Sequence, residues 1–478
     1  MDVLIVGAGP TGMALACGLA AQGVGVRLVD RATGPAETSR ANILHARGVE
    51  VLDRLGALGD LRERTLEPAG MRMHVGGRPI ATMRFLPDRR ERTQALFVSQ
   101  AAIEAELRRR LTELGVPIHW GTEITSLDQN PRADWVVGCD GARSTVRELA
   151  GIAFPGVPVA ERFLLADVRA DWDRDRSVSA GWYHRDGMLL AMPMPGEPDL
   201  WRLMADVPHD GERLAPEQVV DRLRQLLAER AGQSEIGIRE TVWASVFRIH
   251  RRLAADYRRG RVLLAGDAAH IHSPIGGQGM NTGIGDAENL AWKLGLVVRG
   301  LAGPELLDTY GAERRPLAAD VLRNTTANTR LLLGETALTR FLRDRVVVPL
   351  LGIPAVQRRA TRVASQLWVT YRRGPLGGRG PAPRPGDRIP DGEYQRTDGT
   401  RTRLHAELGP EWALVGGSAE LSAVARTALG EVAWLRGEGD ALLIRPDAHL
   451  AWRGDDPAAL RDRLTAMLRP PGVDTMRP

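Results

Sequence analysis

Apolar residues follow two rhythms along this chain. Short unbroken runs that close on Gly or Asp predict buried strands: DVLIV at 2–6 before Gly7, VGVRLV at 24–29 before Asp30, WVVGCD at 135–140 and RVLLA at 261–265. Apolar residues three and four apart predict helices at 11–22, at 47–61, at 101–114 (Ile103, Leu107, Leu111, Leu114) and over nearly all of 305–370. The first strand, helix and second strand make one βαβ unit. From about 152 to 255 the pattern turns to short β-like runs (RFLLADVRA, MLLAMPMP, WRLMADV) broken by Pro, Gly and Asp. Residues 374–392, GPLGGRGPAPRPGDRIPDG, read as a linker. The tail beyond it has strand patterns at 412–415 and 441–445. No internal repeat is visible.

Length and composition narrow the classes. The 478 residues allow for about three domains. Two cysteines, Cys17 and Cys139, exclude a disulfide scaffold and a cysteine-rich zinc module, and suit the reducing cytoplasm. Met1-Asp2 runs straight into an apolar strand, so no signal peptide is expected, and no uncharged apolar run reaches membrane-spanning length. The net charge is +5, from 64 basic and 59 acidic residues that read as interleaved. Lys293 is the only lysine; the high isoelectric point therefore reports arginine usage. The longest basic run, Arg108–Arg110, falls on the solvated face of a predicted helix, and no basic-aromatic platform accompanies it, so nucleic-acid binding is not expected.

Three motifs carry chemistry. The first is Gly7-Ala8-Gly9-Pro10-Thr11-Gly12, a G-x-G-x-x-G between a strand and a helix. Its glycines allow a tight turn, backbone approach to a pyrophosphate and close helix–strand packing, and the helix start offers free N–H groups to phosphates. Such a pattern alone is weak. Asp30, eighteen residues after Gly12, strengthens it, because a carboxylate there can hold ribose hydroxyls and disfavours a 2′-phosphate. The dinucleotide is then FAD or NAD. The second motif is RVLLAGDAAHIHSPIGGQGMN at 261–281: a strand delivers Gly266-Asp267, and bare backbone then leads to a helix start near Asn281. A helix start aimed at a flavin ring would stabilise its anionic reduced form. The third is Cys139-Asp140-Gly141-Ala142-Arg143-Ser144 after the strand-like Trp135–Gly138.

In this order the three motifs resemble the FAD-dependent aromatic hydroxylases (class A flavin monooxygenases), and within them the polyketide-tailoring and antibiotic-hydroxylating branch. The resemblance covers most of the chain. It implies an α/β fold with a Rossmann-like FAD-binding domain (1–150 and 256–373, with the helical region that follows), an inserted α+β substrate domain (151–255), and a thioredoxin-like C-terminal domain (393–478) after the 374–392 linker. It assigns FAD contacts to Gly7, Gly9, Pro10, Thr11, Gly12, Asp30, Arg31, Arg40, Gln100, Ile124, Asp140, Asp267, Pro274, Gly277, Gly279, Met280 and Asn281, with Pro274 beside the reacting edge of the flavin. No acid or base is assigned. One departure stands out: between Thr122 and Trp135 the chain is shorter than the family pattern by roughly a strand pair.

The implied reaction reduces FAD with NADPH or NADH, forms a flavin C4a-hydroperoxide with O₂, and hydroxylates an aromatic substrate, here a polycyclic polyketide or antibiotic. Baeyer–Villiger or epoxidising chemistry, and a catalytically idle antibiotic-binding flavoprotein, are the alternatives. A halogenase is disfavoured by the absence of W-x-W-x-I. Trp182, Tyr183, Arg202 and Phe247 are candidate substrate contacts in the middle section; Met188, Met192, Met194 and Met204 are of a type more often found in cores, though methionine also suits an adaptable wall. His270 and His272 lack an acidic third ligand and make a poor metal set. The tail has no cysteine, so dithiol chemistry is closed to it. A monomer or a homodimer fits the resemblance equally.

Overall fold

The computed structural model describes residues 2–36, 41–66, 70–85, 92–127, 133–207, 214–233, 236–272, 276–334 and 336–469. Arg40 and Pro274 lie outside these residues. The apolar run at the start forms the strand Asp2–Val6 inside a six-stranded sheet, in the order 258–259, 262–264, 133–138, 2–6, 25–29, 118–119. Neighbours are parallel except for the edge pair of Arg258–Arg259 with Val262–Leu264. Parallel strands covered on both faces need continuous apolar runs, and Val3–Val6, Leu28–Val29, Val136–Val137 and Val262–Leu264 are buried. The register sets Val6 beside both Val29 and Gly138, and Gly138 beside Leu264. Four strands therefore end together, and Gly7, Asp30, Cys139 and Ala265 follow at one edge of the sheet. In open α/β sheets ligands bind at that edge. The helix Pro10–Ala20 packs against the helices Gln278–Val298 and Gln100–Glu113.

An eight-stranded sheet stands beside this layer, in the order 270–271, 237–253, 156–171, 200–207, 187–193, 178–184, 70–75, 78–84. The broken β pattern of 152–255 becomes five strands, two of them of 16 and 17 residues, Gly156–Asp171 and Gly237–Leu253. Register shifts at 238/240, 241/243 and 248/250 keep the second long strand paired while it bends. The same section also holds a helix that the β reading does not include, Pro216–Ala231. Side chains alternate across the sheet. Trp182, Trp201 and Leu203 face that helix, with Leu223, Leu226 and Leu227. Tyr183, Met204, Phe163 and Leu165 face the other way, toward Leu333 and Val348. A hairpin from the first part of the chain, Gly70–Val75 and Arg78–Arg84, completes the sheet, with Gly70–Val75 parallel to Val178–His184.

The predicted helix at 47–61 stops earlier, as Ala46–Arg54, because Gly56 adopts a left-handed φ of 69°. The all-helical stretch after 305 contains a long helix, Asp308–Leu333, then Ala337–Leu342, a π-helical turn at Arg343–Val347, Val348–Leu350 and Pro354–Ala364. The tail forms a four-stranded sheet, 432–435, 412–415, 441–444, 450–454, with helices Ala419–Leu429 and Pro457–Leu468. Its Trp412, Leu443 and Leu460 share one core with Leu4, Leu15 and Leu296. Among the described residues no helix is long and apolar enough to cross a membrane.

Candidate functional site

The turn after the first strand fits only glycine at two places. A Cβ on Gly12 would lie 1.9 Å from the Gly7 carbonyl oxygen, and one on Gly7 (φ 107°) 2.3 Å from that of Cys139. Gly9 differs: a Cβ there meets nothing within 4 Å, so its backbone faces open space. Gly9 is also the N-cap of Pro10–Ala20, and no side chain caps that helix. Its first N–H groups and dipole therefore point into a cradle beside Thr11, a donor set suited to a phosphate.

Acidic groups ring the cradle. Asp30 accepts hydrogen bonds from the amides of Ala8 (2.7 Å) and Ala32 (2.8 Å), which ties the second strand to the glycine turn; Arg31, beside it, is exposed. Asp140 accepts from Ser144 Oγ (2.5 Å) and the Val146 amide (3.1 Å), and so shapes the turn after the 133–138 strand. Asp267 is exposed at the end of the 262–264 strand, next to Gly266. A Cβ on Gly266 would meet Thr11 Oγ1 at 2.6 Å, so the first and second motifs touch. Gln100 opens the helix Gln100–Glu113; its amide donates to Ala41 O (2.9 Å) and its Nε2 to Glu104 (2.8 Å). Ile124 is buried in the core.

The second helix start is more elaborate. Gly277, with a left-handed φ of 63°, caps Gln278–Val298. Gly279 and Met280 in the first turn are half-buried. Asn281 is buried and uses its side chain inside the protein: Oδ1 accepts from the His45 amide (2.7 Å), and Nδ2 donates to Ile43 O (3.1 Å) and Gly277 O (2.8 Å). His45 lies against this start, with Nε2 2.8 Å from Gly276 O. Burial pushes its pKa down despite that bond, so the ring is neutral and Nε2–H donates to the carbonyl. Sequence reading misses Gln366. It is buried with a strained φ of 58° and donates to Gln278 Oε1 (2.5 Å) and Thr282 Oγ1 (3.2 Å).

His270 is held by a carboxylate: Nε2 lies 2.6 Å from Asp286 Oδ2, while Arg314 donates to Asp286 Oδ1 at 2.7 Å. Burial alone would raise the Asp286 carboxyl, but Arg314 and His270 hold it below its usual range. Among the described residues no cluster of His, Cys, Asp or Glu has a metal-binding arrangement.

The loop stapled by Asn281 also walls a cleft. Asn42, Ile43, Phe97 and Phe85 face Met71, Ser179, Met192 and Pro193 across about 420 Å³ of space, part of it open to solvent. The lining is apolar apart from Asn42 and Ser179. Among the described residues Asn42 Nδ2 meets two weak acceptors, the sulfurs of Met192 (3.6 Å) and Met194 (3.9 Å). Of the sequence candidates, Met192 lines this cleft; Trp182, Tyr183, Arg202 and Phe247 do not. Trp182 points to the helix-covered face and stacks on His74 at 5.2 Å. Tyr183 is buried under Val348 and Leu333, and burial raises its pKa to about 12. Arg202 is buried on the same sheet face as its register partner Met192 and grips Asp167 through bonds of 2.7 and 2.8 Å. Phe247 stacks on Phe163 at 5.6 Å. Alternation turns Trp182 away from the cleft, whereas Tyr183, Arg202 and Phe247 share the sheet face of Met192 and are taken up by other partners there.

Comparison with known proteins gives two family matches, an FAD binding domain over residues 1–325 and an aromatic-ring hydroxylase C-terminal domain over 382–471. The chain is 37% identical over 509 residues to a 12-dehydrotetracycline 5-monooxygenase/anhydrotetracycline 6-monooxygenase of Streptomyces rimosus, covering 98% of each chain. It is 35% identical to a rifampicin monooxygenase of Streptomyces venezuelae, covering 97% of this chain and 98% of that one. Among solved structures, the anhydrotetracycline hydroxylase OxyS of Streptomyces rimosus superposes with a TM-score of 0.81 at 33% identity over 99% of both chains.

Proposed function

The chain belongs to the FAD-dependent aromatic hydroxylases of the polyketide-tailoring branch, and from that membership we propose that it uses NADPH or NADH and O₂ to hydroxylate a polycyclic aromatic polyketide or antibiotic. One observation supports this most: the loop 41–45 is shared. Asn281, in the first turn of the second helix, holds its backbone, and its Asn42 and Ile43 wall the apolar cleft. A ring seated at that helix start would therefore adjoin a substrate in the cleft.

The residues suit FAD. The uncapped helix start and the open space at Gly9 match a pyrophosphate, and the half-buried Asp30 carboxylate matches ribose hydroxyls. When bound, FAD supplies hydride acceptance and oxygen activation. The protein supplies position. In this reading Gly7–Gly12, Arg31 and Arg40 hold the diphosphate side, and Ile124 and Gln100 flank the nucleotide. Asp140 and Asp267 complete the edge, and the amides of Gly277–Asn281 face the pyrimidine end. Pro274 lies in the segment that leads to this helix. Neutral His45 keeps the Gly276 carbonyl turned inward by donating to it. In the cleft Asn42 and Ser179 orient substrate oxygens, and the methionine and phenylalanine walls exclude water.

The finer architecture extends the same reading. Residues 151–255 form an insertion in an FAD-binding unit made of 1–150 and 256–373, and the 70–84 hairpin bridges the two. Residues 393–478 form a thioredoxin-like unit; its four-stranded sheet with one parallel pair and two helices supports this. Without a cysteine it serves packing. Purified protein should show an oxidised-flavin spectrum, and polycyclic phenols should stimulate NADPH oxidation. Colourless protein that FAD cannot reconstitute, or NADPH oxidation indifferent to every such phenol, contradicts the proposal.

A further inference from the structure

Residues 337–368 contain six arginines and one acid, Asp344. The same segment holds eight of the eleven large apolar side chains exposed among the described residues.

These side chains form a stripe. Leu338, Phe341, Leu342, Val346, Leu350 and Ile353 follow helical spacing along Ala337–Leu342, the π turn and Val348–Leu350, and all are exposed, Leu338 by 66% and Phe341 by 60%. Arg345 and Pro349, between them, are exposed too. The opposite face is fixed to the protein. Val348 is buried with Tyr183 and Met204, and Leu351 packs on that cluster. Arg343 is fully buried, donates to the carbonyls of Leu332 (3.0 Å) and His184 (3.1 Å), and lies 5.4 Å over the Tyr183 ring. Gln357 donates to Thr82 O at 2.9 Å. The helix is thus apolar on two faces, which is unlike a solvated surface helix. Six neighbouring exposed apolar side chains make a patch within the range of about 300–600 Å² that a monomer's largest, and often functional, apolar patch covers.

Charge selects what covers it. A second copy across a twofold axis would bring two arginine-rich faces together, with Arg345 inside each stripe, and like charges oppose that contact. A bilayer bearing anionic headgroups answers both features: the acyl boundary takes the apolar stripe, and phosphates take Arg345 and the exposed Arg358, Arg359 and Arg362. We propose that residues 337–368 dock the enzyme on an anionic membrane surface. The segment packs on the cluster that includes Met71, and Met71 also lines the cleft. Docking therefore brings the cleft's sheet close to the lipid, where polycyclic apolar compounds accumulate. That consequence rests on the hydroxylase reading; the docking does not.

The test is flotation of the FAD-loaded protein with vesicles of phosphatidylglycerol and phosphatidylcholine, against phosphatidylcholine alone, at low and high salt, beside sedimentation of the free protein. Binding is expected to anionic vesicles, weakened by salt and by omission of phosphatidylglycerol. The exposed substitutions Leu338→Asp with Phe341→Asp, and separately Arg345→Glu with Arg358→Glu and Arg359→Glu, should each lower the bound fraction about tenfold or more while flavin content stays unchanged. Absence of flotation overturns the proposal. So does a dimer in solution that Phe341→Asp dissociates, which makes the stripe a homodimer interface. Binding indifferent to lipid charge and salt also overturns it. Flotation needs no turnover, so failure of the hydroxylase reading leaves this result standing.

Discussion

Replacing Arg445 by methionine probes how the C-terminal sheet is joined to the flavin-binding region. Arg445 is fully buried. It donates to Glu313 Oε1 (2.8 Å) and Oε2 (3.0 Å), to Asp447 Oδ1 (2.9 Å) and also to Asp447 Oδ2, with its guanidinium 4.8 Å from the Trp292 ring. Trp292 belongs to the helix that starts at the flavin loop, and Glu313 to the next helix. Burial alone would raise both carboxyls; Arg445 is the main group holding Glu313 near 2 and Asp447 well below its usual range. Arg445→Met strands two buried carboxylates, and breaking such a pair costs about 3–5 kcal/mol. Lys293→Met is the control. Burial, more than any partner, pushes Lys293 down to about 8, and without it Glu313 keeps two bonds from Arg445 and one from Asn289 (2.8 Å). Its cost should be about 1–2 kcal/mol. Both carboxyls titrate lower in the folded chain than in the unfolded chain. Their contribution is fully present above the unfolded value near 4.5 and is lost as pH falls toward 2. Without Arg445 their folded pKa values rise, so the penalty should be largest near neutral pH and shrink on acidification. The assay is urea unfolding of the FAD-loaded proteins at neutral and mildly acidic pH. Equal costs for the two variants, an Arg445→Met cost under about 1 kcal/mol, or a gap that widens with acid would refute the reasoning.

Three further outcomes are expected. Gly12→Ala should lose FAD, because its Cβ would lie 1.9 Å from the Gly7 carbonyl oxygen; a normal flavin content, read from the absorbance ratio, contradicts this. Asn42→Leu should weaken binding of a polycyclic substrate by about tenfold, the value of one hydrogen bond, with flavin content unchanged; an unaltered Kd by flavin-absorbance titration argues that Asn42 does not meet the substrate. Burial raises the thiol pKa of Cys17 to about 12 and that of Cys139 well above 9.0, so neither should react with a thiol reagent at neutral pH until the protein is denatured, when two should appear.

What the sequence displays is mostly local. The strand at 2–6, the glycine turn, Asp30 and the loop into Gln278–Val298 are contiguous signatures, and each can be read from a few residues. Other parts depend on partners far along the chain. The 70–84 hairpin joins strands a hundred residues later, and one-residue register decides that Trp182 points away from the cleft while Met192 points into it. Helix Pro216–Ala231 is legible in its own residues, with Pro216 at the start, Val219, Val220, Leu223, Leu226 and Leu227 at helical spacing and Gly232 at the end, but a β reading of the whole middle section passes over it. Arginine misleads most: its type is seldom buried, yet Arg202, Arg343 and Arg445 are each buried because a carboxylate or carbonyl far away in sequence meets it. The charge reads as interleaved along the chain, and only the exposure of 337–368 reveals that arginines there accompany bare apolar side chains.

The central claim is that this chain transfers one oxygen atom from O₂ to a polycyclic aromatic compound. Mass spectrometry of the product formed under ¹⁸O₂, with purified enzyme, FAD, NADPH and a phenol that stimulates NADPH oxidation, measures that transfer directly. The account predicts one ¹⁸O per product as a new ring hydroxyl, with the carbon skeleton intact. Unlabelled product, or label in a ring-expanded lactone or an epoxide, would contradict it.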